Sequence, residues 1–253
     1  MSSTIDWQDT LEQLEAGTVR SANQDENGNW QANVEAKQAI LAAFGAGENR
    51  EFTGAYAGFV DKNNLPARQF TIEDGVRLVP GGSSVRRGAH VAPGVIIMPP
   101  AYINVGAFVD SGTMVDSHAL IGSCAQVGKN VHVSAAVQIG GVLEPVGASP
   151  VIIEDDAFLS AGVVIVEGIV VKKGAVLAPG VSLSKSVPVY DCVNQVMLEK
   201  GADIPERAVV VPGTRPVKGD WASSQGLSMS CALIVKYRDE QSDAALELES
   251  VLR

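Results

Sequence analysis

The sequence predicts a mainly β protein: a parallel β-helix of six-residue repeats, preceded by a small α-helical N-terminal domain and followed by a C-terminal strand/helix extension. Three observations predict it. A large aliphatic residue recurs at every sixth position, a smaller residue follows it four places later, and glycines gather between the two sets. Neither the 3.6-residue period of an amphipathic helix nor the plain alternation of a half-buried strand fits this spacing.

Residues 1–80 form the first expected domain, with helices at Ile5–Glu15 and Asn33–Phe44. The second helix is patterned by Val34, Ala36, Ile40, Leu41 and Phe44, and a Gly-, Asn- and Pro-rich linker runs from Gly45 to Pro66. Residues 81–210 carry the repeat. Its aliphatic positions are Val85, Val91, Ile97, Ile103, Val109, Val115, Ile121, Val127, Val133 and Ile139, then Ile153, Leu159, Ile165, Val171, Leu177, Leu183 and Val189. The second set runs from Ala89, Val95 and Ala101 to Val181, Val187 and Val193.

Six residues make one short strand and one corner, and three such units close a triangular turn. The large aliphatic fills the inside of each face, and the small residue fits where the chain turns. Successive turns then stack as parallel strands about 4.8 Å apart. In known hexapeptide-repeat proteins this coil is left-handed, against the usual right-handed crossover. The segment 140–152, with Pro145 and Pro150, interrupts the period and is expected to loop outward. Residues 211–253 form the extension, with a strand at Cys231–Tyr237 and a helix at Asp239–Leu252. Open coil ends need caps, which the flanking segments supply. Flat faces rich in small apolar groups invite packing against copies of the same chain, and three-fold symmetry is the simplest closure.

Composition excludes several function classes. The formal net charge of −10 and the lack of a basic run speak against nucleic acid and anionic membranes. No segment approaches the roughly 20 apolar residues that cross a bilayer. The start, MSSTIDWQDT, lacks the basic and apolar stretches of a signal peptide, so a cytoplasmic protein is expected. Cys124, Cys192 and Cys231 are too scattered for a disulfide framework or a zinc pattern. The three histidines show no H-x₄-H spacing, so no metal is expected and a γ-class carbonic anhydrase is disfavoured. Residues 1–80 are too short for the nucleotide-binding domain of a sugar nucleotidyltransferase.

Residues 102–145 read YINVGAFVDSGTMVDSHALIGSCAQVGKNVHVSAAVQIGGVLEP. The elements GTMVD, IGSCAQVGKNVH and IGGVLEP resemble the tetrahydrodipicolinate N-succinyltransferase family, and weaker matches extend from GVRLVP at 75–80 to CALIVK at 231–236. The resemblance implies an acyl-CoA-dependent N-acyltransferase that moves a succinyl or acetyl group from CoA to the amino group of a dicarboxylic amino acid. It also implies a homotrimer with active sites between neighbouring coils. The family's substrate-binding arginine falls on Arg77, and its catalytic or substrate-binding aspartate on Asp116. Two positions depart from the pattern. Gly162, Val163 and Val164 stand where the family usually shows arginine, serine and glutamate, and His118 replaces a tryptophan. Two further readings stay open: a divergent acetyl-CoA-dependent member, like the acyltransferase of tabtoxin biosynthesis, and a paralogue that binds CoA or a metabolite without catalysis.

Amide formation from a thioester needs a neutral amine, a base for its proton and stabilisation of an oxyanion. Asp116 follows a core aliphatic and is expected to point outward, where it holds the amine. The bland alternative is a solvated corner aspartate. His118, two residues on, is expected on the same side of the strand as a base in place of the missing glutamate. Otherwise it fills the space of an aromatic ring. Arg77 suits a bidentate pair with a substrate carboxylate, and Glu144 in the loop is a weaker contact candidate. His90, His132 and Glu167 read as structural. Gly162, Ala178, Gly180 and Ser182, with Lys185 nearby, are the candidate groove for CoA, although corners demand small residues in any case.

Overall fold

The computed structural model describes residues 6–239. The chain from Arg77 to Val210 winds into a left-handed β-helix of two-residue strands. Three parallel faces form the prism. Arg77–Leu78, Ile96–Ile97, Met114–Val115, His132–Val133, Phe158–Leu159 and Val176–Leu177 stack as the first face. The second stacks Ser84–Val85, Tyr102–Ile103, Leu120–Ile121, Gln138–Ile139, Val164–Ile165 and Ser182–Leu183. His90–Val91, Phe108–Val109, Gln126–Val127, Ile152–Ile153 and Val170–Val171 make the third. Paired residues are 18 apart in sequence, as Ile96, Met114 and His132 are, so each turn holds three six-residue units.

The sixth-residue aliphatics from Val85 to Leu183 all point inward and are buried, as expected. Each contributes roughly 1.5–3 kcal/mol by leaving water. The small set lies beneath the corners, where Ala89, Ala107, Ala125 and Ala175 are fully or almost fully buried. Thr113 is the polar member. Its hydroxyl donates to the Gly128 carbonyl and accepts from the Val131 N–H, tying adjacent corners together.

The period ends earlier than the sequence suggests. Val189 is only partly buried, and its strand, Val189–Asp191, pairs with Ala232–Ile234 rather than with the third face. Val193 is 48% exposed. The Lys172 N–H, which a continued ladder would aim at the Val189 carbonyl, donates to Ile204 instead, and the Val189 carbonyl accepts from the Leu198 N–H. Ile204 completes the third face instead, through a parallel bridge to Val171, and Val209 pairs with Val176 on the first. The chain then leaves the prism as an antiparallel ribbon, Ala208–Pro216 against Ser228–Tyr237. The helix expected at Asp239–Leu252 lies, from residue 240 onward, outside the described residues.

At the other end, α1 (Trp7–Ala16) starts at Asp6, whose carboxylate caps the N–H groups of Gln8 and Asp9, and stops at left-handed Gly17. The Asn33 side chain caps α2 (Val34–Ala46). A short antiparallel hairpin, Ala22–Gln24 with Trp30–Ala32, lies between the helices, and a second, Asn49–Glu51 with Val60–Lys62, occupies the expected linker. Leu11, Leu14, Ala36, Ile40, Ala43 and Leu65 pack together with Val105 and Cys124 of the coil. Gly106 permits this approach, since a Cβ there would meet Ile40 Cδ1 at 2.7 Å. The N-terminal unit therefore covers the third face, where Phe108, Gln126, Ile152 and Val170 are all buried. The corresponding outward residues of the other two faces are half-buried or exposed.

The interruption after Ile139 does leave the coil, but it does not stand free. Leu143 packs against the N-terminal cluster, and the buried Lys37 ammonium donates to the Ala148 carbonyl. The loop folds back onto α2 because that helix presents both an apolar surface and a donor.

Candidate functional site

The prism has three edges, and the repeat decides what each displays. The first edge, between the first and second faces, carries Asp116, Ser117 and His118 on one turn. The next turns carry Ser134, Ala135 and Ala136, then Ser160, Ala161 and Gly162, then Ala178, Pro179 and Gly180. Backbone hydrogen bonds fix this column: Ala136 N–H donates to Ser117, Gly162 to Ala135 and Gly180 to Ala161. Above Asp116 the edge holds no charged side chain, while the third edge is crowded with Asp110, Lys129, Glu154, Asp155, Lys172 and Lys173.

Asp116 is half-buried at this edge. Its Oδ1 accepts the Ser117 N–H at 2.6 Å, which leaves Oδ2 for an external partner. Arg77 lies on the adjoining first face, exposed, in the row that runs through Ile96 to Met114. Two strand spacings separate it from the Asp116 turn, about 10 Å along the axis. The structure thus gathers Asp116, His118, Gly162, Ala178 and Gly180 on one edge, with Arg77 beside it.

His118 differs from the expectation in one respect. The strand ends at Val115, and His118 sits in the following turn with φ of 63°, so strand alternation does not set its direction. It is exposed, and its carbonyl accepts from the Gln138 amide. A left-handed backbone is uncommon outside glycine, although histidine tolerates it better than most residues.

Lys185 and Glu144 are not brought to this edge. Both belong to the second edge, between the second and third faces, where the Lys185 N–H donates to Glu167 Oε2 at 2.8 Å. Glu144 is exposed in the loop that starts there. Ser182 lies on the second face, exposed. Counting by 18 along the sequence, rather than by six, separates these positions from Asp116. His90 stacks on Phe108 and His132 on Phe158, each at 4.6 Å between ring centroids. Among the described residues, no group of three or more His, Cys, Asp or Glu side chains is arranged to hold a metal ion, and no helix is long and apolar enough to cross a membrane.

Comparisons with known proteins show what the chain is similar to. Residues 5–45 match the family model described as the tetrahydrodipicolinate N-succinyltransferase N-terminal domain. A 2,3,4,5-tetrahydropyridine-2,6-dicarboxylate N-succinyltransferase of Polynucleobacter asymbioticus is 40% identical over 75 residues, 28% of this chain and 27% of that protein. The chain resembles the tetrahydrodipicolinate N-succinyltransferases. A Campylobacter jejuni structure described as a 2,3,4,5-tetrahydropyridine-2-carboxylate N-succinyltransferase shares the fold, superimposing with a TM-score of 0.61 at 20% identity. That superposition covers 89% of this chain and 61% of the Campylobacter chain, so this succinyltransferase-like chain spans less than two thirds of that relative.

Proposed function

We propose that the chain is an acyl-CoA-dependent N-acyltransferase acting on an amino-dicarboxylic acid such as tetrahydrodipicolinate, with its site along the first edge. The carrying observation is the alignment of Asp116 with Gly162, Ala178 and Gly180 on an edge flanked by the first and second faces, whose outward side chains are half-buried or exposed. Those faces present Ile96, Met114 and Phe158 on one side and Tyr102, Leu120 and Val164 on the other. Such apolar rows suit neighbouring copies, and three-fold packing would wall the edge into a groove.

In this reading succinyl-CoA or acetyl-CoA lies along the small residues of the edge, its thioester near Asp116. The Asp116 carboxylate orients the substrate amine, and Arg77 pairs with a substrate carboxylate. The amine nitrogen attacks the thioester carbonyl, the C–N bond forms, and collapse of the tetrahedral oxyanion breaks the C–S bond. The amine proton passes to Asp116 or His118 and then to the departing CoA thiolate. Neither Lys185 nor Glu144 has a part in it.

Release of free thiol from succinyl-CoA and acetyl-CoA, with tetrahydrodipicolinate or 2-aminopimelate as acceptor, tests the proposal. Thiol release that requires acceptor supports it and identifies the donor. Binding of CoA without any acceptor-dependent release favours the non-catalytic paralogue, a reading that Val164 in place of glutamate keeps in view.

A further inference from the structure

The third edge holds a cleft that the proposed reaction does not use. It measures about 340 Å³ and lies between the N-terminal unit and the coil, bordered by Arg20, Trp30, Asp110, Lys129 and Asp155. Arg20 is built into it. Its Nε donates to Gln126 Oε1 at 2.9 Å, and its guanidinium lies 3.8 Å from the Phe108 ring centroid and 5.3 Å from that of Trp30. Held by one hydrogen bond and two rings, the group has little freedom left to lose on binding.

Its remaining donors are unspent. Among the described residues the two Nη groups of Arg20 donate to no protein acceptor, and no carboxylate oxygen comes within 4.0 Å of the guanidinium. Burial holds the Arg20 pKa below its ordinary value, opposed by Asp110 and then Asp155 across the cleft. Each of those two carboxylates spends one oxygen on a backbone N–H, Asp110 on Ser111 and Asp155 on Lys129, and keeps the other. Glu154, by contrast, is fully engaged, by the Trp30 indole N–H and the Lys173 N–H.

A fixed cation and two half-used carboxylates therefore face each other across a gap too wide for a direct ion pair. A simple anion would meet Asp110 and Asp155, and a simple cation would meet Arg20 and Lys129. A molecule carrying both charges a few bonds apart satisfies both sides. We propose that this cleft binds a free α-amino acid, its carboxylate on Arg20 and its ammonium on the side of Asp110 and Asp155. The site is distinct from the Asp116 edge of the same chain, and the proposal does not depend on the acyltransferase reading.

Calorimetric titration of the full chain with each of the twenty common L-amino acids, up to about 20 mM, reads binding without reference to activity. At least one is expected to saturate, and its N-acetyl and carboxamide derivatives, which lack one charge each, are expected to bind at least about tenfold more weakly. Arg20→Gln and Asp155→Asn should each weaken the best binder by about tenfold or more. Asp155→Asn keeps the backbone hydrogen bond, so it tests the charge even where the loss of Arg20 loosens the N-terminal unit. Absence of saturable binding by any amino acid overturns the proposal. So does unchanged affinity in Asp155→Asn, or an N-acetyl derivative that binds as well as its parent, which would mark a plain anion site.

Discussion

His118 and Gly162 occupy the same corner position of the coil, two turns apart, and both have left-handed backbones, with φ of 63° and 70°. Glycine adopts that conformation freely, whereas a side chain there costs roughly 1–2 kcal/mol. The cost at His118 falls beside Asp116, on the edge proposed to carry the chemistry. His118→Gly is therefore expected to stabilise the fold by roughly 0.5–1 kcal/mol, the strain relieved less the entropy of an unfolded glycine. If the imidazole acts as base, the same change lowers kcat by about a hundredfold. Denaturant melts and steady-state rates on one variant separate the two effects. A kcat equal to that of the parent removes His118 from the mechanism.

Asp116→Asn preserves the side-chain oxygen that accepts from Ser117. The coil should therefore fold as before, with an unchanged melting temperature. Thiol release should fall by about a hundredfold or more, since the amide neither takes a proton nor holds an ammonium. Turnover near the parental rate would exclude the carboxylate from the reaction.

Thr113→Val tests the corner bond. The replacement keeps the shape but deprives the Val131 N–H and the Gly128 carbonyl of their partner inside the prism. Leaving a buried donor unpaired costs about 1–3 kcal/mol. Urea unfolding should show a lower midpoint with an unchanged slope.

The cysteines should separate by reagent access. Cys192 is exposed, while Cys124 and Cys231 are buried. Iodoacetamide at neutral pH should modify the native chain once, at Cys192, and the unfolded chain three times, by peptide mass. Burial pushes the Cys124 thiol up to about 11 from an ordinary 9.0, so the folded state holds that proton more tightly than the unfolded one. Its stabilising contribution is complete below pH 9.0 and is lost as the pH rises through about 11, a change of a few kcal/mol at most, on the order of 3. Lys37, held low by burial, acts in the opposite direction over the alkaline range, and the two groups interact, so Cys124→Ala against the parent reads the thiol together with its effect on Lys37.

Much of this architecture is legible in the sequence because the coil repeats one physical rule. An aliphatic at each sixth position, such as Ile121 or Leu159, has nowhere to point but inward. The rule fails where the ladder does: Val189 keeps the spacing, but Ile204 takes the place beside Val171, and hydrophobicity alone does not register which of two aliphatics closes the turn. The hairpin at Ala22–Gln24 and Trp30–Ala32 also escapes notice, being two three-residue strands that lean on the coil rather than on a pattern of their own. At the site, Asp116 stands out in its motif and the small residues of its edge in theirs. Lys185 misleads because nearness in sequence is not nearness around a prism. Arg20 gives no signal, since its partners Gln126 and Phe108 lie about a hundred residues away and meet it only through the docking of the N-terminal unit.

The loop between Ile139 and Ile152 separates the length of the chain from the height of the coil. Gln126 pairs with Ile152 as directly as Phe108 pairs with Gln126, although eight more residues intervene. Gly147, exposed and with open space around its Cα, lies in that excursion. A short peptide grafted there would hang from the side of the column like a flag from a mast, leaving every floor above and below at its original level.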